Sequence, residues 1–350
     1  MDFTFSEDQL LFQESVRDFL VNEITPEQIR ELWDTDTGRS PELWGQLVEL
    51  GLTAMTVPEE FGGLGMNELD FVLLAQECGY VAIPAPIVHN ALVAVPVIAQ
   101  IDSLRDEWLP KIAAGEAQVA VGLEANVFVE DAHTADLLLM QFGDELHAVD
   151  PATVALRVNE SVDRSRKLFV VEWSPSADTC VASGDAGKRL IDVAFDRGAL
   201  GVAAESLGLS QRMVDVAVQY TGERQQFGKP IGSFQAVKHL MSNIAFKLEY
   251  AKAPLHRAAY AVANNLPGAG VAVSHAKLAA TEVGQIAAKN TMQVHGAMGY
   301  TWEVDLHIFM KKAWAYNNTW GDVAEHKNRV ASFVLADDAP IGAGNTFSAG

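Results

Sequence analysis

Cysteine is scarce in this 350-residue sequence. Cys78 and Cys180 stand far apart without CxxC spacing, which offers neither a zinc-ligand pattern nor a disulfide framework and predicts two reduced, buried thiols. Basic charge is scarce as well: 25 Lys and Arg against 46 Asp and Glu leave a formal net charge of −21. Such a surface repels polyphosphate backbones, so no nucleic-acid partner is expected, and an anionic ligand would need a local cluster of Lys, Arg or backbone N–H groups. A secretory signal is not read at the start, where Met1 leads into acidic, helix-starting sequence, so a cytoplasmic location is expected. Long clean apolar runs are missing too. Residues 81–101 come nearest to one, but Pro84, Pro86 and Pro96, with His89 and Asn90, interrupt it and read as buried connections between helices, so no membrane role is expected.

What is present is the composition of a globular protein, 49% apolar and 20% charged. The length exceeds the roughly 250 to 300 residues at which single cores stop growing, so two or three packed units are expected. Ser6, followed by Gln9 and flanked by Phe5 and Leu10, predicts a helix start with a reciprocal cap and a hydrophobic staple. Val16, Phe19 and Leu20 continue its apolar face, and a second amphipathic stretch follows Pro41 and ends at Gly51. A turn-rich passage from Val57 to Gly65 precedes further helices as far as about Ala114.

After Gly115 the pattern changes to short runs at residues 135–142, 146–149, 154–158, 168–173 and 190–195, separated by Gly, Asp, Asn and Pro, which read as antiparallel strands. From about Gly198 the period is helical again, with Val237, Leu240, Met241, Ile244, Leu248, Ala251 and Leu255 forming a wide apolar stripe. Pro267 and Gly268 punctuate the gap before another helix at 271–294, and one more is expected from Asp305 through Trp314. Four long helices joined by short connections predict an antiparallel bundle. The expected organisation is therefore α+β and mainly α: a helical domain at 1–115, an antiparallel β domain at 116–197, a four-helix bundle at 198–337 and a flexible tail at 338–350. His239, His275 and His307 lie on expected helices without paired ligand spacing, so no metal site is predicted.

Two segments carry a resemblance. The run from Tyr220 through Arg224, Phe227, Gly228, Ile231 and Gln235 resembles the RxxFGxxIxxxQ signature of the acyl-CoA dehydrogenase family. The run Gln293-Val-His-Gly296-Ala-Met-Gly299-Tyr300 resembles that family's QxxGGxGY motif. The passage VPEEFGGLG at Val57 also matches the family's N-terminal region. The resemblance implies an FAD lying between subunits, with the guanidinium fork of Arg224 on its pyrophosphate, Phe227 packed on the flavin or adenine portion, Gln235 near the adenine, and Gln293 and Gly296 at the other end of the same cofactor. The alternative is that Arg224 pairs with a nearby carboxylate and Phe227 is ordinary core.

Members of the family take the α-proton of an acyl-CoA thioester with a carboxylate while the β-hydrogen leaves as hydride to the flavin. The commonest family base is a Glu in a YEGT-like loop, and matching from Gly299 puts Trp320 there, followed by Gly321 and Asp322. The less common position, on the helix before the first motif, is Gly198. Glu205, two helical turns beyond Gly198, is the remaining candidate base, its apolar neighbours suited to raising a carboxylate pKa. A structural Glu205 that pairs with an Arg or caps a helix is the other reading, and the shorter, displaced Asp322 ranks below it. The middle β region is shortened, since residues 119–124 run almost directly into 128–135 where Asp131, Ala132 and Asp136 match the strand leading out of the missing part.

The run Thr301-Trp302-Glu303-Val-Asp305-Leu-His307, with intact cofactor motifs beside empty base positions and a shortened β region, resembles the small subunits of heterotetrameric, steroid-catabolic members of the family. The resemblance implies an α2β2 assembly with a homologous acyl-CoA dehydrogenase subunit, a sterol or bile-acid CoA ester as substrate, and an electron-transfer flavoprotein as acceptor. A self-sufficient homomeric enzyme using Glu205, a silent structural subunit and a flavin monooxygenase are the alternatives.

Overall fold

A computed structural model describes residues 4–339 and 342 of the protein, and the expected tail at 338–350 lies almost wholly outside the described residues. The chain divides into two compact units. One holds the N-terminal residues through Val21, Val72–Ile83 and the chain from Val202 onward; the other holds Asn22–Phe71 and Pro84–Gly201. Helix α1 (Glu7–Glu23) starts where Ser6 and Gln9 predict it: the Gln9 N–H donates to Ser6 Oγ at 3.2 Å and the Ser6 N–H to Gln9 Oε1 at 2.8 Å. Thr25 and Gln28 build the same reciprocal cap on α2 (Pro26–Trp33), and Ser40 caps α3 (Pro41–Glu49) with Pro at its first position. Helix α4 (Glu68–Tyr80) follows the turn-rich passage.

In the second unit, residues 84–101 form a buried connection, as the prolines predict. A π-helical turn, Val88–Ala94, leads into the short α5 (Val95–Ile98) and then α6 (Asp102–Ala113). Asn90 is buried there but satisfied, accepting the Val119 N–H at 2.8 Å and donating to the Pro86 carbonyl at 3.2 Å. Among the described residues no helix is long and apolar enough to cross a membrane.

Seven strands follow: β1 (Val119–Gly122), β2 (Val129–Glu130), β3 (Leu137–Phe142), β4 (Glu145–Val149), β5 (Ala155–Asn159), β6 (Leu168–Glu172) and β7 (Cys180–Ala182). They make a four-stranded sheet in the order β1-β3-β4-β7 and a three-stranded sheet in the order β2-β6-β5. Ala120, Leu138, Met140 and Val149 of the first and Val129 and Phe169 of the second share one apolar cluster. Only six residues separate β1 from β2, which matches the shortened region read from the sequence.

Two expectations are corrected. The β1–β3 pair is parallel, Val119 lying beside Leu137, because the chain crosses to the other sheet as β2 before returning. Residues 190–195 are helical: α7 (Gly184–Glu223) begins at Gly184, ahead of the expected onset near Gly198. The run Leu-Ile-Asp-Val-Ala-Phe suits either element by composition, but Gly187, Leu190, Ala194 and Gly198 are buried at a spacing of three to four, with Phe195 buried beside Ala194.

In the first unit, α7 leads through the short strands β8 (Gln225–Gln226) and β9 (Lys229–Pro230) to α8 (Gln235–Ala263), α9 (Ala269–His295), α10 (Leu306–Tyr316) and α11 (Val323–Val334). Met241, Ile244, Leu248, Ala251 and Leu255 form the buried stripe of α8, as their spacing predicts. Lys247 of α8 pairs with Glu282 of α9 at 2.7 Å. Helix α11 adds to the four expected, and its signal is Asp322 followed by Glu325, whose N–H donates to Asp322 Oδ1 at 2.8 Å.

Glycine sets one close approach in this unit. A Cβ on Gly79 would collide with the Glu205 carbonyl oxygen, and one on Gly208 with the Gln76 carbonyl oxygen, so α4 and α7 cross backbone to backbone. Gly79→Ala is therefore expected to destabilise by about 1 to 3 kcal/mol as the helices are forced apart, outweighing the roughly 1 kcal/mol that alanine contributes in an unhindered helix. Urea unfolding checks this; a midpoint at or above that of the unmodified chain would show that the crossing is not so tight.

Candidate functional site

The first motif is built as a hairpin. The Arg224 N–H donates to the Tyr220 carbonyl at 2.9 Å as α7 ends, and the Ile231 N–H returns to the Arg224 carbonyl at 2.8 Å, closing β8 against β9. The two residues at the tip, Phe227 and Gly228, have φ of 55° and 77°. Two successive positive values are what a tight two-residue hairpin needs, and Gly228 takes its share at no steric cost. Phe227 does not, yet it sits there 91% exposed, its ring 6.1 Å from Phe234 and edge-on to it. The reading of Phe227 as ordinary core therefore fails within this chain. Arg224 is also exposed and has no ion-pair partner within the described chain, and Gln235 opens α8 on the same exposed stretch.

The second motif closes α9. Gln293 is exposed, and Gly296 ends the helix at φ 61° with nothing within 4 Å of a Cβ built there. Between them, His295 is buried and donates from Nδ1 to the Thr291 carbonyl at 2.7 Å. Burial lowers its pKa, offset in part by that carbonyl, so it is a neutral ring. It stacks on Tyr220 with centroids 4.3 Å apart and planes 21° from parallel. Because Tyr220 lies in the last turn of α7, four residues before Arg224, this stack draws the ends of α7 and α9 together. Asn290 reaching the Leu240 carbonyl ties the start of α8 to the same place. Arg224, Phe227, Gln235, Gln293 and Gly296 thus gather at one end of the unit. Tyr220 and His295, which hold them there, were printed inside the motif strings but carry no chemistry by which sequence alone would have picked them out.

The candidate bases fare differently. Glu205 is 5% exposed, on the face of α7 that crosses α4. It is one of three ionisable groups, with Glu77 and Lys312, acting on the buried Cys78 thiol. Burial above all, then Glu205 and Glu77, push that thiol well above its usual value, so Cys78 is an inert interior sulfur, as expected, whereas Cys180 is only half-buried. Lys312 donates to the Ile83 carbonyl at 3.1 Å. Asp322 is the N-cap of α11, which commits one carboxylate oxygen to the helix.

Trp320, at the place of the family's commonest base, is 1% exposed with φ 55°. His326 Nε2 donates to its carbonyl at 2.8 Å, and His326 Nδ1 accepts from the Ser274 hydroxyl at 3.1 Å. Nearby, Lys277, also buried, donates to the Tyr316 carbonyl at 2.7 Å. A buried indole, its backbone carbonyl held by His326, fills the position.

Comparison with known proteins agrees with this arrangement. The acyl-CoA dehydrogenase N-terminal domain matches residues 6–116 and the acyl-CoA dehydrogenase C-terminal domain matches residues 185–335. The acyl-CoA dehydrogenase IpdE2 of Mycolicibacterium smegmatis is 31% identical over 331 residues, covering 94% of this chain and 100% of that protein. Among solved structures, the ChsE4-ChsE5 complex from Mycobacterium tuberculosis superposes with a TM-score of 0.85 at 23% identity, covering 96% of this chain and 99% of the matched one. A Tcur3481-Tcur3483 steroid ACAD superposes at 0.81 and 23% identity, covering 94% and 98%. The chain belongs to the acyl-CoA dehydrogenase family, an oxidoreductase family, and has its plan of N-terminal helices, middle β region and C-terminal helices.

The brace on Trp320 has a pH signature. Burial first, and the Lys277 charge second, hold His326 down to about 4, against 6.5 for a free imidazole, with the Trp320 carbonyl offsetting part of it. Above pH 6.5 the ring is neutral folded or unfolded. As pH falls from 6.5 to 4 the unfolded chain takes up a proton that the folded one refuses, so stability is lost across that window, up to roughly 3 kcal/mol. His326→Gln is expected to lack that loss, measured as the difference in urea-unfolding free energy between pH 7 and pH 4.5 for the two chains.

Proposed function

We propose that this chain is the FAD-lending, base-less subunit of a heteromeric acyl-CoA dehydrogenase, paired in an α2β2 assembly with a homologous chain that carries the catalytic carboxylate. The observation that carries the proposal is the contrast within one unit. The cofactor-motif residues converge on an exposed end whose outermost side chain, Phe227, stands 91% in solvent at a positive φ, while Trp320 fills the base position. A phenyl ring held so has lost its own core and gains from being covered, by an apolar burial contribution of about 1.5 to 3 kcal/mol.

The residues present fit one end of an FAD bound mainly by another chain. Arg224 offers a fork of donors to a pyrophosphate, Phe227 an apolar cover, Gln235 and Gln293 amide groups, and Gly296 a bare backbone that a ring can approach. When bound, FAD accepts the hydride from the β-carbon of the acyl-CoA. Removal of the α-proton needs a carboxylate beside the substrate, and in this chain Glu205 is interior and Asp322 caps a helix. The base is therefore assigned to the partner chain. A complex of two unlike chains and a steroid enzyme among the solved relatives support both the heteromer and a sterol or bile-acid side-chain CoA ester as substrate. An electron-transfer flavoprotein completes the cycle by reoxidising the flavin.

Coexpression with an acyl-CoA dehydrogenase homologue that keeps its Glu tests this reading. Flavin content and acyl-CoA oxidation are expected only in the coexpressed complex, with Arg224→Ala lowering bound FAD at least tenfold, as loss of a charge-assisted pair worth about 1.5 to 3 kcal/mol requires. A yellow, active homomer of this chain alone, silenced by Glu205→Gln, would instead make it self-sufficient. Flavin content indifferent to Arg224→Ala would leave a silent structural subunit.

A further inference from the structure

The four-stranded sheet of the second unit holds a cluster that the acyl-CoA chemistry does not use. Glu145 and His147 are two residues apart on β4, which puts both side chains on one face of the strand. Cys180 of β7 pairs directly across from His147, and adjacent cross-strand partners bring their side chains close. The register of β4 against β7 shifts between Leu146 and His147, a local irregularity of the kind that re-aims side chains. The result is one carboxylate oxygen, one imidazole nitrogen and one sulfur, all within 4.8 Å of one another. His147 is 1% exposed, with Trp173 edge-on at 5.1 Å as a wall, while the Glu145 side chain is 39% exposed and leaves a way in.

His147 Nε2 faces Glu145 Oε2 at 3.1 Å. On the other side of the ring, Nδ1 lies 3.0 Å from Thr179 Oγ1, which is itself 3.1 Å from the Ser176 carbonyl oxygen and 3.2 Å from Ser176 Oγ. Thr179 holds the ring from behind, as the outer partner of a metal-bound histidine does. Cys180 supplies the third donor, its thiol held only by a long 3.5 Å contact to the Ala182 carbonyl. A tetrahedral ion with bonds of about 2.0 to 2.3 Å needs donors about 3.3 to 3.7 Å apart. The His147 Nε2–Glu145 Oε2 edge, at 3.1 Å, is slightly shorter than this, and all three donors lie within 4.8 Å of one another, so small side-chain movements separate the cluster from that geometry.

We propose that Glu145, His147 and Cys180 form a binding site for a Zn2+-like divalent ion, with a fourth position open to water. The mixed carboxylate, imidazole and thiolate set suits a borderline metal and not Ca2+ or Mg2+, which take oxygen donors. Binding releases the Cys180 thiol proton to solvent and forms the metal–sulfur, metal–nitrogen and metal–oxygen bonds without any redox change.

The test is titration of the full chain, stripped with chelator, with Co2+ followed by competition with Zn2+. One Co2+ per chain is expected, with a thiolate-to-cobalt charge-transfer band that Zn2+ abolishes. Cys180→Ser should remove that band, and His147→Gln and Glu145→Gln should each weaken binding about tenfold or more. Glu145 and Cys180 are not fully buried, so their variants keep the test valid if His147→Gln fails to fold, which circular dichroism reads. No stoichiometric Co2+ would leave His147 and Glu145 as an ordinary hydrogen-bonded pair and overturn the proposal. Equal binding by every variant would also overturn it, by tracing the ion to scattered surface carboxylates.

Discussion

The stacking of Tyr220 on His295 is the contact on which the end of the first unit that carries both motifs depends. Each ring sits at the end of a long helix, within four residues of a motif residue that faces outward, so the pair converts two distant stretches of sequence into one surface. The stack works because His295 is neutral: its Nδ1 proton is committed to the Thr291 carbonyl and burial keeps a second proton off. A charged imidazole at 3% exposure would cost more than the stacking returns.

Among the described residues, Arg224 of that end is exposed without an ion-pair partner, Phe227 is exposed with the Phe234 ring edge-on to it, and nothing lies within 4 Å of a Cβ built on Gly296. The interior shows the opposite economy. Glu205, Glu77, Lys312, Lys277 and His326 are all buried ionisable groups; Lys277, Lys312 and His326 donate to backbone carbonyls, while Glu77 accepts from Gln13 and pairs with Arg17. Catalysis by a carboxylate needs a group that is buried and also reachable. In this chain Glu205 is buried at the crossing of α7 with α4, and Asp322 is exposed but caps α11.

Local sequence was a sound guide where local forces decide. Ser6, Thr25 and Ser40 cap the helices they precede, the apolar stripe of α8 is the buried face, and the strands at β3 to β6 follow their apolar runs, because a cap or a period is fixed within a few residues. It misled where composition fits two elements: residues 190–195 carry a strand's residues on a helix's spacing, and only the packing of Leu190, Ala194 and Gly198 chose between them. It also gave no hint that β1 pairs parallel to β3, since pairing direction is decided by where the intervening chain crosses over.

The sequence by itself determined the family, through two motifs of fixed residue type and spacing, and matching from the second of them put Trp320 where the family's commonest base stands. Only the tertiary structure decided what those residues face. Whether Phe227 is core or display, whether Glu205 is a base or a buried strut, and whether Cys180 meets His147 are questions of distance between residues far apart along the chain. Those distances are set by backbone crossings such as Gly79 on Glu205 and by strand register, and neither is written in any one segment.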